Sequence, residues 1–400
     1  MRILTSYEDA FKIGKDCLDA KTKNTKPPIL GGMKTLSSEI KGPWKMDEES
    51  LQNTLTYIFY KLNHPAYMLC VTNEVPTLYK LDKKITPPGY QKTILKSLKN
   101  KKVKSKNKTW RLMQCVLRPH KEEYTFAKEW DRFLEQMTYK LPNGVFFLSL
   151  TDAMILRKDF YDPWPMVSGN KKLEDKYIFS SYIPLLAYSG KVGYWDIPIV
   201  NYDDLLYAIG SKTQPELNTD WDSKKPIAVF RGSSTGCGYT DETNMRLKLS
   251  TMRSDDLDVG ITQYVNTLKF DPKYGLGSQD RKKFPLVAPI SMDQQANYKY
   301  IIHVDGNVAA YRLLTSMLSG SLILKIKGDY TLWVDHLLKP GEHYIEVASD
   351  LSDLEEKVQW CKEHDAECKK IAKRSLAFAK KALTTDYINA SFAKVLWSLI

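Results

Sequence analysis

No stretch of the 400 residues approaches eighteen continuous apolar side chains, so the sequence predicts no transmembrane helix. Cysteine is scarce: six residues (17, 70, 115, 237, 361 and 368) lie scattered without the spacing of a disulfide scaffold. The start, MRILTSYEDAFKIGKDC, puts Glu8 and Asp9 where a signal peptide needs an apolar core, and the closing VLWSLI is no retention signal. Reduced thiols and a cytoplasmic location are therefore expected. The phosphate-binding patterns G-x-x-x-x-G-K-S/T and G-x-G-x-x-G are missing, which excludes a P-loop and the dinucleotide fingerprint. Internal repeats and low-complexity domains are also missing.

Acidic residues are absent from Lys83 to Lys121, and KSLKNKKVKSKNKTWR (96–111) holds seven Lys and one Arg. This run contributes much of the formal net charge of +12. It reads either as a solvated basic loop or as a patch for a polyanion such as nucleic acid, anionic membrane or acidic glycan. Aromatics are sparse inside it, so stacking on single-stranded bases finds little support and nucleic acid is not the expected partner.

What is present is an ordinary globular chain, 43% hydrophobic and 26% charged, but too long for one hydrophobic core. The expected layout is an amino-terminal extension (1–45), two domains (46–205 and 220–375), and a last helix (376–400) crossing back to the first. Helical spacing marks 47–63 and 124–141, while β-type runs occupy 66–72, 77–81, 111–117 and 144–152. From 153 to 225 the chain is loop-rich and aromatic. Beyond it, a strand running into a Gly/Ser loop at 225–236 and strands at 257–262, 298–306, 321–326 and 343–349 alternate with helices at 246–254, 308–320 and 352–383. A Ser352…Glu355 capping box is expected to open the last of these. Such alternation argues a parallel, doubly wound sheet.

In such sheets ligands bind at the carboxyl ends of strands. One strand end carries FRGSSTG (230–236), with Gly232, three hydroxyls on Ser233, Ser234 and Thr235, and Arg246 on the helix that follows. Another carries DGNVAAYR (305–312): Gly306, Asn307, Val308 and Ala309, then Arg312 in the first turn of the predicted helix. Two arginines and a hydroxyl loop would suit a diphosphate without a metal. The alternative is an ordinary strand–loop–helix whose Arg312 pairs with a surface carboxylate. In CKEHDAEC, Cys361, His364 and Cys368 share a helical face, but no fourth zinc ligand is evident and a buried cysteine stripe is the reading.

From about 141 to 375 the chain resembles glycosyltransferase family 90, the family of protein O-glucosyltransferases and capsule-associated xylosyltransferases. The carriers are FRGSSTG, the following RLKLS and LDVGIT, the block YKYIIHVDGNVAAYRLLTSMLSGSLILK, and LLKPGEHYIEVASDLSDLEEKVQWCKEHD. The resemblance implies an α/β GT-B fold, two Rossmann-like domains facing across a cleft. It also implies inverting transfer from a UDP-sugar, as co-substrate, to a protein or glycan acceptor. No metal or other cofactor is expected. Carried over by motif, Ser233, Arg246 and Arg312 hold the UDP diphosphate, with their loop neighbours around them. The loop from Ser233 to Arg246 is longer here than in the animal enzymes. The family base is an Asp after a strand that follows a Leu-Pro turn, and LPNGVFFLSLTD puts Asp152 there. Without that position Asp152 would read as a loop cap.

Family members use UDP-glucose or UDP-xylose, and the DGNVAAYR block sits nearer the KDEL-motif enzymes, which favours glucose. Trp164, Tyr194 and Trp195 are candidates for stacking on the acceptor, with core packing as the alternative. Asp256-Leu257-Asp258 spells the D-x-D of metal-dependent glycosyltransferases, but it falls on the LDVGIT strand, which the resemblance does not make a metal site. A Lys- and Asn-rich chain with no secretion signal fits a large DNA virus, or a microbe that glycosylates outside the endoplasmic reticulum. A decayed scaffold that only binds polyanions is the competing function.

Overall fold

The computed structural model describes residues 2–20, 40–62, 66–81, 121–150, 152, 154–163, 171–265, 269–271 and 273–400. The strand expected at 111–117, residues 83–120 of the basic run, and Trp164 lie outside these. Two compact units divide the chain. The first comprises 1–211, 331–333 and 385–400, the second 212–330 and 334–384. Among the described residues no helix is long and apolar enough to cross a membrane.

The first unit is built on a mixed sheet of β1 (Arg2–Leu4), β2 (Ala66–Thr72), β3 (Val75–Leu81), β4 (Gly144–Ser149), β5 (Leu185–Ala187) and β6 (Ile197–Pro198), in the order β1-β3-β2-β4-β5-β6. β4, β5 and β6 run parallel, while β2 is antiparallel to both its neighbours. The hairpin has a sequence cause. Asn73 and Glu74, at φ 51° and 65°, form a two-residue turn whose left-handed backbone matches strand twist. Residues 2–4 pair with β3, and α1 (Tyr7–Ala20) buries Ala10, Cys17 and Leu18, so the amino-terminal segment belongs to this unit's layers. α2 (Glu48–Thr56) is capped by Asp47 and widens to π geometry over Tyr57–Lys61. On α3 (Lys121–Glu135), Trp130 packs edge-on to Phe133 and to Phe392 of the helix Thr385–Trp397. Asn389, in a glycosylation sequon, is buried in that helix. The short helix α4 (Tyr202–Ala208) is capped by Asn201.

The main sheet of the second unit holds five strands: β7 (Lys225–Ser233), β8 (Leu257–Gln263), β11 (Tyr298–His303), β12 (Leu322–Ile326) and β13 (Ile345–Val347). β9 (Lys269–Asp271) and β10 (Gly275–Gly277) form a separate antiparallel hairpin. The five-stranded order is β13-β12-β11-β7-β8, every pair parallel, as the alternating pattern predicts. Parallel strands are covered on both faces, and Phe230, Tyr300, Leu324 and Val347 lie buried against Cys361, Cys368 and Ile371. The cysteine stripe is thus core, while His364 stacks on Trp360 at the surface. Counted from β7, the order is 2-1-3-4-5: β7 and β11 are neighbours whose onward connections diverge. Between their carboxyl ends lies the topological switch point.

Three helix expectations need correction. The helix predicted for 308–320 is only α6 (Leu313–Met317), with Arg312 as its cap residue. Asp305 Oδ1 accepts the Ala310 N–H (3.1 Å), and Gly306 N–H donates to Val308 O, so residues 305–310 close on themselves. The helix predicted for 352–383 is two, α7 (Leu354–Glu363) and α8 (Asp365–Ala382), broken at His364 with φ −114° and ψ 41°. Ser352 does not cap it: Asp353 holds that position without a side-chain cap, its carboxylate accepting from Ala348 N.

Candidate functional site

At the switch point, Arg246 joins the two strand ends. It is the second residue of α5 (Met245–Thr251), whose cap Asn244 accepts the Arg246 and Leu247 N–H groups. Only 7% exposed, its guanidinium donates to Ser233 O (3.2 Å) and Thr235 Oγ1 (2.6 Å) from one loop. From the other it reaches Val304 O (3.0 Å) and Asp305 O (3.0 Å). None of these acceptors is a carboxylate. Burial, with Arg312 nearby, pulls this guanidinium down to about 10.

Arg312 is half-buried. One Nη1 hydrogen goes to Arg231 O (2.7 Å), and the other guanidinium donors meet no partner among the described residues. Among the described residues no carboxylate pairs with Arg312, unlike the strand–loop–helix alternative. Burial lowers Arg312 as well. Beneath both arginines lies the ring of Phe230, and beside them His303, 3% exposed, whose Nδ1 is unpartnered. Burial first, then Lys325, Arg312 and Arg246, keep His303 far below its usual value and hence neutral. Lys325 itself is paired with Asp335 (2.8 Å).

The glycines fit this crowding. A Cβ on Gly306 would sit 2.7 Å from Thr235 Oγ1 and 3.2 Å from Arg246 Nη2, and one on Gly232 2.9 Å from the Phe230 ring. Asn307 Oδ1 accepts the Gly236 N–H (2.9 Å), and Tyr330 Oη donates to Asn307 O, tying the two loops together. A cavity opens beside them, lined by Cys237, Asp305, Gly306, Gly328 and Tyr330. Asp305 is pushed up to about 6 by burial, against the Ala310 hydrogen bond.

Ser233, Thr235, Arg246, Gly306, Asn307 and Arg312 are thus brought together. Ser234 is not: fully buried, it gives its hydroxyl to Gln279 Oε1 (2.8 Å) and accepts from Val265 N. Val308 lies partly buried within the 305–310 turn, and Ala309 is buried as packing. Sequence reasoning missed Lys269, buried beside Arg246, and His303. Lys269 belongs to no local pattern, whereas His303 ends the strand that leads into DGNVAAYR. Lys269 reaches the site from a hairpin more than thirty residues along the chain.

In the first unit Asp152 is exposed, three residues past the end of β4. Its charge helps raise the buried Tyr188 phenol, where burial is the larger cause. Tyr194 commits its hydroxyl to Pro163 O (2.7 Å), and Trp195 has Lys158 Nζ over its ring at 4.7 Å. Both rings are partly buried. The D-x-D carboxylates are engaged: Asp256 with Lys362 (2.9 Å), Asp258 with Arg231 and Tyr298 Oη. Among the described residues no group of three or more His, Cys, Asp or Glu could hold a metal ion.

Relatives are found among viruses and animals. "Uncharacterized protein 179R" of Invertebrate iridescent virus 6 is 27% identical over 88% of this chain and 37% of its own length. Protein O-glucosyltransferase 2 of Danio rerio is 30% identical over 70% of this chain and 52% of its own length. Protein O-glucosyltransferase 3 of Homo sapiens is 30% identical over 64% of this chain and 50% of its own. The chain therefore spans about half the length of these glucosyltransferases, and less of the viral protein. Among solved structures, Anabaena Alr3699/HepE in complex with UDP-glucose matches at 14% identity and a TM-score of 0.30, over 42% of this chain and 48% of that one. Residues 159–398 match the profile of glycosyl transferase family 90 and take in both strand-end loops. A match over more than half its length makes this chain a member of glycosyl transferase family 90.

Proposed function

We propose that the second unit binds the diphosphate of a UDP-sugar and that the protein transfers the sugar, with inversion, to a hydroxyl of a protein or glycan acceptor. The observation that carries this is Arg312: a half-buried guanidinium that, among the described residues, has open donors and no carboxylate partner, beside a second buried arginine. A preformed cationic site in a low-dielectric setting stabilises charge that grows on a leaving group. In the proposed reaction the acceptor oxygen bonds to the anomeric carbon while the bond from that carbon to the UDP oxygen breaks. The electron pair leaves on UDP, towards Arg246 and Arg312. The acceptor's hydroxyl proton passes to the Asp152 carboxylate. Asp152 takes this role on family position and exposure.

Metal independence follows from the same cations, which supply the charge a metal would otherwise bring. Glucose is the proposed sugar, on the likeness of DGNVAAYR to the glucosyl branch. Xylose differs by one hydroxymethyl group, which a pocket separates by only about 1–3 kcal/mol. Calorimetry with UDP in EDTA tests the site, and strict dependence on added metal would contradict it. Turnover of UDP-glucose and UDP-xylose, with mass spectrometry of the product, tests the reaction. Asp152→Asn should bind UDP normally and turn over far more slowly. Salt-dependent nucleic-acid binding without UDP binding would favour the scaffold instead.

A further inference from the structure

Lys269 opens the β9–β10 hairpin and is only 8% exposed. Among the described residues it has no ion-pair partner. Its ammonium instead donates to two backbone carbonyls of the hydroxyl loop, Ser234 O and Gly236 O (3.1 Å). Two residues on, the fully buried Asp271 accepts from Tyr239 N (3.3 Å), Thr240 Oγ1 (3.4 Å) and Thr243 Oγ1. One short hairpin thus grips both halves of the loop between Ser233 and Arg246.

The grip has a directional consequence. Across a trans peptide the carbonyl and the following N–H point opposite ways. Carbonyls 234 and 236 turned onto Lys269 therefore turn the N–H groups of Thr235 and Cys237 away from it. The Thr235 N–H donates to no described residue, while Thr235 Oγ1 accepts from Arg246 (2.6 Å). We propose that Lys269 is a positioning residue of the anion site, holding the loop so that the Thr235 N–H and the Arg246 guanidinium are presented together to a nucleotide diphosphate. This rests on the UDP reading above. Burial, then Arg246, lower the Lys269 ammonium to about 8, with Cys237 opposing. Among the described residues, Arg246 on α5 and Cys237 in the loop are the charged and titratable groups that act on it. As pH rises past that value the ammonium becomes an amine, and both carbonyls lose a charge-assisted donor and are held by weaker neutral hydrogen bonds.

The test titrates UDP and uridine, in EDTA, into the full chain as wild type, Lys269→Met and Cys237→Ser, at pH 7 and pH 9. At pH 7, Lys269→Met should weaken UDP about tenfold and leave uridine within about threefold, because only the diphosphate reads the loop. Wild type and Cys237→Ser should lose UDP affinity between pH 7 and 9, and Lys269→Met should not. Equal UDP binding by wild type and Lys269→Met overturns the inference while the UDP reading stands. So does proportional loss of UDP and uridine. If Lys269→Met does not fold, a flat pH dependence in both wild type and Cys237→Ser overturns it instead. Wild type that binds no UDP overturns the functional reading, and this inference with it.

Discussion

Arg246 and Arg312 lie against the same aromatic ring: their guanidinium carbons are 5.7 and 5.3 Å from the centroid of Phe230. A phenyl face attracts each cation, but the two cations repel one another, and Arg312 contributes to the lowered value at Arg246. An anion between them relieves that repulsion. The two arginines nevertheless differ in what else they hold, and the first prediction uses the difference.

Arg312→Ala should cost about 2–5 kcal/mol of UDP binding, the range for losing a desolvated charge partner, with little change in Tm because a single backbone contact is lost. Arg246→Ala should lose binding and stability together, since four acceptors from two loops are stranded. Calorimetry beside thermal unfolding separates them. Equal Tm losses in the two variants would count against the assignment.

Gly306→Ala places a methyl 2.7 Å from Thr235 Oγ1, so Thr235 or Arg246 must move. We expect a stability loss of about 1–3 kcal/mol, the usual cost of overpacking, and weaker UDP binding. Unchanged affinity would mean that the loop yields without disturbing the arginine.

His303 predicts a pH effect. Its folded value lies well below its ordinary 6.5, so the unfolded chain takes up a proton that the folded one refuses. Stability is therefore full above pH 6.5 and falls as pH drops below it, by up to about 1.4 kcal/mol per pH unit for one proton. His303→Leu should flatten that part of the profile, read by denaturant unfolding at pH 7.5 and 5.5. An unaltered slope would rule this histidine out.

Asp256→Asn should leave UDP binding in EDTA and sugar transfer unchanged, because its carboxylate is spent on Lys362. A surface ion pair of that kind is worth about 0–1 kcal/mol, so Tm should hardly move. Loss of transfer would reopen the D-x-D as a functional pair.

The parallel sheet was legible because its strands are apolar runs alternating with helical ones, a pattern that local sequence carries. Arg312 was legible for a similar reason: DGNVAAYR is contiguous and follows a strand. The helix drawn through Val308–Tyr311 was misread because propensity favours it, while a tertiary fact, the Asp305 carboxylate on the Ala310 N–H, opposes it. Ser352 and Glu355 have the spacing of a cap, yet Asp353 occupies that position. Lys269 had no signal at all. Lys269, one of two lysines in TLKFDPK, becomes informative only when a hairpin carries it 33 to 35 residues back to the loop it holds.

The switch point also fixes when the site can exist. Arg246 bonds to carbonyls 58 and 59 residues further on, and Gly236 to a side chain 71 residues away. Closing segments of that length costs entropy before any contact repays it, so such sites form late. A nascent chain that stops before β11 carries the whole hydroxyl loop and none of the acceptors that orient Arg246 towards the second arm. On the proposed function, nucleotide binding would then signal completed folding in the second unit, and UDP should protect that unit against proteolysis increasingly as its concentration rises above Kd.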